Sequence, residues 1–199
     1  MQVAIDQFRL SLSHVRNLSL VHRAASEHSP GLDTTDVFRA QVVLVVSALD
    51  HYIHEVSRLG AIEVFTGKRS RTPAFNRARV TIEGVMIGLQ NPSSVNWFEN
   101  EIRREHGWQS FQSAEKIADA VRLFSNVQLW KRVAKIVGLD PNILKNQLRL
   151  TIDRRNKIAH EADMDPSYPG VRWPIDETLA KTTISFIEKI VEAIHNVVT

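Results

Sequence analysis

Apolar residues recur at intervals of three and four along most of the chain, which is the spacing of one face of an α-helix. No internal repeat, low-complexity tract or linker interrupts the pattern, so we expect one all-α domain over residues 1–199, a bundle of about six or seven helices. The predicted helices cover approximately 1–26, 35–60, 74–90, 113–125, 126–137, 141–160 and 176–198.

The residues between these segments predict where the helices end and begin. Ser29-Pro30-Gly31 ends the first helix and Asn91-Pro92 ends the third. After Gly60 we expect a short apolar turn, AIEVF, and Thr72-Pro73 offers a cap for the helix over 74–90. Asp140 is an N-cap residue with proline next to it in the first turn, a position that proline tolerates.

The second helix contains VVLVVSAL, which is apolar nearly all round, and this predicts the central, buried helix of the bundle. A polar stripe crosses it at Ser47, Asp50, His54 and Arg58. In a functional interpretation, Asp50 and His54 face a site on a neighbouring helix and orient its residues. In a structural interpretation, the stripe marks where the helix meets solvent, and its members form ordinary i,i+4 pairs. We favour the functional interpretation.

Composition is that of a soluble globular protein, with 43% hydrophobic and 24% charged residues. Cysteine is absent, which excludes disulfides and thiolate metal sites. No apolar stretch suggests a signal peptide or a bilayer span, so we expect a cytoplasmic protein that does not bind membranes. We expect no metal and no cofactor, since neither a metal-binding His-Glu motif nor a glycine-rich phosphate loop is present.

A net charge of +3 favours polyanions as partners, and its distribution is more informative than its total. Residues 67–80, GKRSRTPAFNRARV, contain five cations and no acid. Such a run can grip RNA phosphates, and the alternative is a solvated loop that happens to be basic. The candidate RNA-binding residues are Lys68, Arg69, Arg71, Arg77 and Arg79.

Aromatic residues are concentrated between residues 93 and 112, among both acids and bases. They are Trp97, Phe98, Trp108 and Phe111. Aromatics beside arginines can stack on bases, but the acidic residues argue against a phosphate track. We therefore predict that these side chains pack against the core.

The most distinctive stretch is 150–166, LTIDRRNKIAHEADMDP, at the end of an apolar-periodic helix. An arginine and a histidine that share a cleft can cleave RNA with its own 2′-hydroxyl as the nucleophile. The guanidinium of Arg155 would hold the phosphate and stabilise its developing charge, and the imidazole of His160 would move the proton. Asn156 would orient the reacting groups.

Helical spacing puts Asn156 and His160 on one face and Arg155 just off it, so a slight unwinding or kink would let all three converge. Spacing alone is a weak signal, because an arginine followed by a histidine five or six residues later also occurs three times in the first helix. Those matches are Arg9 to His14, Arg16 to His22 and Arg23 to His28.

The residues around the fourth match, Arg155 to His160, distinguish it from these three. Arg155-Asn156 followed by His160 resembles the signature of the HEPN superfamily of small helical ribonucleases and RNA-binding modules, most closely its RiboL-PSP type. The similarity extends to SFQSAEKIADAVRLFSNVQLW at 110–130 and RWPIDETLAKTTISFIEKIVEAI at 172–194, with a fainter echo in FRAQVVLVVSALDHYIHEVSRLG at 38–60.

This resemblance implies a HEPN-like bundle that is a metal-independent endoribonuclease, related to toxins or phage-defence nucleases, that leaves a 2′,3′-cyclic phosphate. It also implies a homodimer in which two copies of Arg155 and His160 meet, and an antitoxin or other partner protein is compatible with it. Arg154, Asp50 and His54 would support the catalytic residues.

Two alternatives to catalysis stay open. The motif residues can line the groove of a non-catalytic module that binds RNA, nucleotide or a partner protein. Alternatively, the arginines and His160 only pin the motif helix to its neighbour.

Acidic residues border the motif on both sides. Asp153 is positioned to hold Arg154 or Arg155 through a charged hydrogen bond. After the motif, Glu161, Asp163 and Asp165 are awkward for RNA entry, and we expect them to clamp an arginine or to hold the loop that begins at Ser167.

Overall fold

A computed structural model describes residues 1–199 as eight α-helices and one short 3₁₀ turn. The all-α prediction is therefore confirmed, and the only extended pairing is an isolated bridge between Met164 and Arg172. One helix more than expected is present because residues 93–112 contain α4. The helices are α1 (Gln2–His28), α2 (Thr35–Phe65), α3 (Ile82–Gln90), α4 (Asn96–His106), α5 (Ala114–Arg122), α6 (Leu129–Val137), α7 (Pro141–His160) and α8 (Glu177–Val198).

Helix α2 is the centre of the bundle, as its apolar sequence predicts, and it packs against α1, α4, α5, α7 and α8. Leu49, Tyr52 and Ile53 on this helix are completely buried. One side of α2 stays open, since Leu44 is 46% exposed and Ser47 is exposed as well. None of the eight helices combines the length and the hydropathy that crossing a membrane requires.

The expected turn after Gly60 is wrong, because α2 continues to Phe65. Gly60 does not end the helix but lets another element approach it. The ring of Phe124 lies against its backbone so closely that an added Cβ would overlap the ring atoms. Glycine therefore serves close packing here, at a cost in helix propensity that the buried aromatic ring offsets.

The predicted helix over 74–90 is divided in two. Thr72 caps a 3₁₀ turn, Phe75–Arg77, by accepting a hydrogen bond from the N–H of Phe75 at 2.9 Å. The chain is then non-helical until Thr81, whose side chain accepts from the N–H of Gly84 and so begins α3. Local capping by two threonines interrupts an apolar periodicity that by itself suggests one continuous helix.

Helix α3 packs on α4 through glycines, not through its large side chains. Gly84 lies against Glu101 and Gly88 against Trp97, with no room for a side chain at either position. The apolar side chains of α3 consequently point outward, and Ile82 is 81% exposed.

The aromatic residues of the α4 region pack as predicted. Phe98 and Phe111 are 4% and 2% exposed, and Phe98 stacks on Phe65 with ring centroids 4.4 Å apart. Trp97 meets Phe65 edge-on at 5.5 Å. Trp108 is the exception, since it is 76% exposed.

Helix α7 begins as the sequence predicts. Gly138 ends α6 in the left-handed conformation at φ +78°, and the Asp140 side chain accepts hydrogen bonds from the next two free N–H groups. Leu144, Leu148 and Ile152 are buried. Ile143 is 53% exposed, because it lies about 100° round the helix from Leu144.

Candidate functional site

Arg155 lies in the last two turns of α7 and differs from every other sheltered arginine in the chain. Five arginines are buried or partly buried, and four of them form ion pairs: Arg39, Arg58, Arg69 and Arg154. Arg155 makes neither an ion pair nor a side-chain hydrogen bond, and its Nε is buried without a partner. Burial lowers the pKa of Arg155, and the nearby carboxylate of Asp50 opposes that change.

Asp50 joins Arg155 to the rest of the cluster. Its Oδ1 accepts a hydrogen bond from the N–H of Phe111 at 2.6 Å and lies 4.0 Å from Nε2 of His54. The structure thus brings Asp50 to Arg155 as the functional interpretation of the stripe expects, while the Asp50–His54 pair is also the i,i+4 contact of the structural interpretation. Arg58 does not join them, because it pairs with Glu55 and Glu99.

His106 belongs to the same cluster and was not singled out from the sequence. The rings of His54, His106 and Phe111 pack against one another, with centroid distances from Phe111 of 4.6 Å and 5.1 Å and 6.3 Å between the two histidines. Nδ1 of His106 is buried without a hydrogen-bond partner. Burial, together with the neighbouring His54, lowers the pKa of His106 to about 4. No motif marks this histidine, since only the packing of α4 against α2 brings it here.

His160 is the last residue of α7, is exposed and makes no hydrogen bond through its side chain. The expected unwinding or kink is absent, because α7 is a continuous helix from Pro141 to His160. On such a helix, residues five apart project about 140° from each other. Arg155 and His160 of one chain therefore do not share a helix face.

Asn156 lines a depression to which Arg155 does not contribute. This open cavity of about 490 Å³ is also lined by Arg154, Lys157 and Trp173. The ammonium of Lys157 lies over the Trp173 ring, 4.9 Å from its centroid. Asn156 and His160 share a helix face by their four-residue spacing, as predicted.

Arg154 forms a buried clamp with the segment that follows His160. Its Nη2 donates to Oδ2 of Asp163 at 2.9 Å, and Nε of Arg39 from α2 donates to the same oxygen at 2.7 Å. Both guanidiniums also donate to the carbonyl oxygen of Trp173. Asp163 is completely buried and adopts a left-handed conformation at φ +59°. The clamp therefore fixes the chain just after His160.

The expectation about the acidic residues after the motif is confirmed for Asp163 and Asp165 but not for Glu161, which is exposed and forms no ion pair, and the one about Asp153 is wrong. Asp163 clamps the two arginines, and Asp165 holds the loop by accepting from the N–H of Ser167 at 2.9 Å. Asp153 instead pairs with Arg149, one turn earlier on the exposed face of α7, at 2.7 Å.

Of the five basic residues between positions 67 and 80, one has a structural role and four form no ion pair. Arg69 donates to Glu63 at 3.0 Å and to the carbonyl oxygen of Val198 at 2.8 Å, so it ties the end of α2 to the end of α8. The other four residues are exposed and form no ion pair: Lys68, Arg71, Arg77 and Arg79. Of these, Arg77 and Arg79 line a cleft of about 370 Å³ that His106 also lines.

Two of the three competing arginine–histidine matches in α1 have an arginine bound to a carboxylate, and Arg23 of the third match is exposed and forms no ion pair. Arg9 binds Glu192 of α8 with two hydrogen bonds of 2.8 Å, and Arg16 binds Glu188 in the same way. His22 bonds to Thr34 at 2.6 Å. Arg9 and Arg16 are already paired with carboxylates, unlike Arg155.

Comparison with known proteins agrees with the motif. A family model described as RiboL-PSP-HEPN matches residues 12–199, which include every site residue described above. No curated protein and no solved structure matches the chain.

Proposed function

The chain belongs to the RiboL-PSP-HEPN family, and from that premise we propose that it is a metal-independent endoribonuclease that cuts RNA through the RNA's own 2′-hydroxyl. Family membership supports a nuclease or another RNA-related module. The cleavage reaction and its residues are the finer proposal.

The unpaired guanidinium of Arg155 is the observation that carries this proposal. A sheltered cation that lacks a hydrogen-bond acceptor is costly, and a protein of ordinary stability keeps few of them. An RNA phosphate supplies the missing acceptors in a bidentate geometry that guanidinium matches. The charge of Asp50 acts on Arg155, but Asp50 forms no ion pair with it that would neutralise it.

In the proposed reaction, Arg155 binds the non-bridging oxygens of the scissile phosphate, and Asn156 orients the RNA. The imidazole of His160 accepts the proton of the 2′-hydroxyl, and the 2′-oxygen attacks the phosphorus. The bond from phosphorus to the 5′-oxygen breaks, and a proton from an imidazolium completes the leaving hydroxyl. The products are a 2′,3′-cyclic phosphate and a 5′-hydroxyl.

A homodimer would complete the site. Arg155 and His160 diverge on α7 of one chain, so a second copy that packs near this end of the helix can place its His160 opposite Arg155 of the first. The exposed position of His160 is compatible with this arrangement. Asp50 and His54 would support Arg155, and Arg154 would support His160 through its clamp on Asp163.

The decisive experiment incubates the protein with total RNA and a labelled oligonucleotide in EDTA, followed by chemical analysis of new 3′ ends. Wild type is expected to leave cyclic phosphate, and His160→Ala and Arg155→Ala to leave the RNA intact. His14→Ala is the matched control, since this exposed histidine belongs to a competing match in α1. Cleavage that needs a divalent metal, or full activity of His160→Ala, would contradict the proposal.

Mixing two inactive variants tests the composite site. A heterodimer of Arg155→Ala with His160→Ala retains one intact arginine and one intact histidine on different chains. We expect exchange of subunits to restore part of the cleavage activity. Continued inactivity of a verified heterodimer would contradict a site that needs only one arginine and one histidine from different chains.

A cellular role in a toxin or phage-defence system is the corresponding biological proposal, with a partner protein or antitoxin that restrains cleavage. It predicts that expression of the wild-type protein alone arrests growth. His160→Ala expressed to the same level is expected to be harmless. Equal toxicity of the variant would mean that the growth effect does not depend on RNA cleavage.

RNA binding without cleavage is a second candidate function, and one observation favours it. His160 makes no hydrogen bond that would orient its imidazole, whereas general bases are commonly oriented by a neighbouring group. This alternative predicts that no cleavage occurs in the EDTA experiment although His160→Ala still changes RNA affinity.

A further inference from the structure

A half-open cleft of about 370 Å³ lies beside the proposed catalytic cluster, between the 3₁₀ turn, the end of α4 and the face of α5. Its volume is that of a small-ligand site. Three cations from two separate elements line it: Arg77, Arg79 and Lys116. None of the three forms an ion pair, so they are available to an anion.

The acids of the cleft differ in their availability. Asp119 is paired with Arg122 and so is already neutralised. Glu105 has no cationic partner and no hydrogen bond to its carboxylate, although it is only partly exposed. The Glu105 carboxylate is therefore a free hydrogen-bond acceptor. A neutral amino group can donate to it, so the ligand does not have to be a cation.

The remaining wall of the cleft is apolar and built partly from small side chains. Ile102 and Phe111 belong to the core, and Leu123 is partly buried. Ala74, Ala78 and Ala120 add a surface without protruding groups. Such a wall suits a flat, weakly hydrated group, and together with the cations it suits a ligand that is part planar ring and part anion.

We propose that this cleft binds one nucleotide of the RNA chain and selects its base, with the phosphate on Arg77 and Arg79 and with the Glu105 carboxylate accepting from a base amino group. The identity of the ligand rests on the proposed function. Cytosine, adenine and guanine carry such an amino group and uracil does not, so the cleft discriminates against uracil.

Direct contacts connect the cleft to the catalytic cluster. Phe111 lines the cleft, and its N–H binds Asp50, the residue beside Arg155. His106 also lines the cleft, and its ring packs on both Phe111 and His54. An RNA strand whose phosphate is bound by Arg155 can therefore continue over this surface and place a neighbouring nucleotide in the cleft.

Binding can be measured apart from cleavage with fluorescent 12-mers of 2′-O-methylcytidine and 2′-O-methyluridine, which lack the 2′-hydroxyl that the reaction needs. Their bases differ at position 4, where cytosine has an amino group and uracil a carbonyl. We expect wild type to prefer the cytidine 12-mer by about 5-fold or more. Glu105→Gln should reduce that preference to below about 2-fold, since an amide can accept from one base and donate to the other.

The double variant Arg77→Ala/Arg79→Ala tests the phosphate contacts. It should weaken binding of both 12-mers by about 10-fold or more and lower the slope of log affinity against log salt by about 1.4, as expected for two lost contacts to single-stranded RNA. The matched control is Arg132→Ala/Lys135→Ala, which removes two exposed cations from α6, where they line a separate depression. It should change affinity less than about 2-fold by the same electrostatic argument.

Three outcomes would overturn the inference. The first is an equal loss of RNA affinity in the cleft variant and the α6 variant, and the second is an unchanged base preference in folded Glu105→Gln. The third is displacement of the 12-mer by 5′-CMP at the same concentration, which would indicate a site for a free nucleotide. Each is independent of catalysis. If wild type fails to cleave but shows the expected base preference, the nuclease proposal fails and the cleft proposal stands.

Discussion

The carboxylate of Asp50 on α2 accepts a hydrogen bond of 2.6 Å from the main-chain N–H of Phe111, in the segment after α4. The charge of the same carboxylate acts on the guanidinium of Arg155 on α7 and raises its pKa, against the effect of burial. One side chain thus connects three parts of the chain, and it has two separable properties: it accepts a hydrogen bond and it carries charge.

Two substitutions of Asp50 separate these properties. Asp50→Asn keeps an acceptor for Phe111 but removes the charge beside Arg155, so we expect near wild-type stability and tighter RNA binding. Asp50→Ala removes the acceptor and leaves a sheltered N–H unsatisfied, which should lower the free energy of unfolding by about 1–3 kcal/mol. Urea denaturation and RNA binding of both variants check this, and equal destabilisation by the two would contradict it.

Replacing Arg155 should cost function without costing stability. Its Nε is buried and its guanidinium has no partner, so Arg155→Met is expected to leave the free energy of unfolding unchanged or to raise it by up to about 1 kcal/mol, while abolishing RNA cleavage. The neighbouring Arg154→Met is the control, since it breaks three hydrogen bonds and should destabilise the fold.

Urea denaturation with circular dichroism distinguishes these cases. A loss of more than about 1 kcal/mol in Arg155→Met, the ordinary cost of removing a structural contact, would mean that Arg155 pins α7 to its neighbour. That result would favour the structural alternative drawn from the sequence.

Asp163 should be among the most sensitive positions in the chain. It is completely buried between Arg39 and Arg154, so Asp163→Asn leaves a buried arginine without its counter-charge and should cost about 3–5 kcal/mol. Asp36 also pairs with Arg39, but its side chain is 70% exposed. Asp36→Asn should therefore cost less than about 1 kcal/mol, and similar unfolding midpoints for the two variants would refute the buried clamp.

His106 should make the fold sensitive to mild acid. Its pKa of about 4 in the folded protein lies below its ordinary value of 6.5, so its neutral form is the one that the fold favours. Above pH 6.5 both states hold the neutral ring. As the pH falls from 6.5 to 4, the unfolded chain gains a proton that the folded chain does not, and stability decreases, by up to about 3 kcal/mol.

His106→Gln isolates this contribution. The difference in unfolding free energy between wild type and variant should change between pH 6.5 and 4 and become constant below that range, because carboxylates titrate in both proteins and cancel. His195, whose pKa burial also lowers, remains in both proteins and cancels too. Parallel stability curves across this range would show that His106 accepts a proton in the folded state as readily as in the unfolded one.

The close approach at Gly60 predicts an asymmetry between two glycines. Gly60→Ala inserts a methyl group into the ring of Phe124 and should cost about 1–3 kcal/mol through overpacking. Gly31→Ala, with no atom within 4 Å of the added Cβ, should be neutral or slightly stabilising. Thermal unfolding checks both, and a tolerated Gly60→Ala would mean that the α2–α5 junction can relax.

Sequence by itself determined the all-α architecture, the central position of α2 and the starts of α7 and α8. Each depends on residues within about four positions of one another: apolar periodicity, or an N-cap such as Asp140 or Asp176. The motif at Arg155 was also recognisable, because its spacing and flanking residues are contiguous.

Only the tertiary structure decided what surrounds that motif. Asp50 approaches Arg155 from a distant position and binds Phe111, on which His106 packs, and no periodicity encodes which side chains meet when α2, α4 and α7 pack. The missing partner of Arg155, the lowered pKa of His106 and the helical path through Gly60 are consequences of desolvation and close packing, which exist only once the bundle has formed.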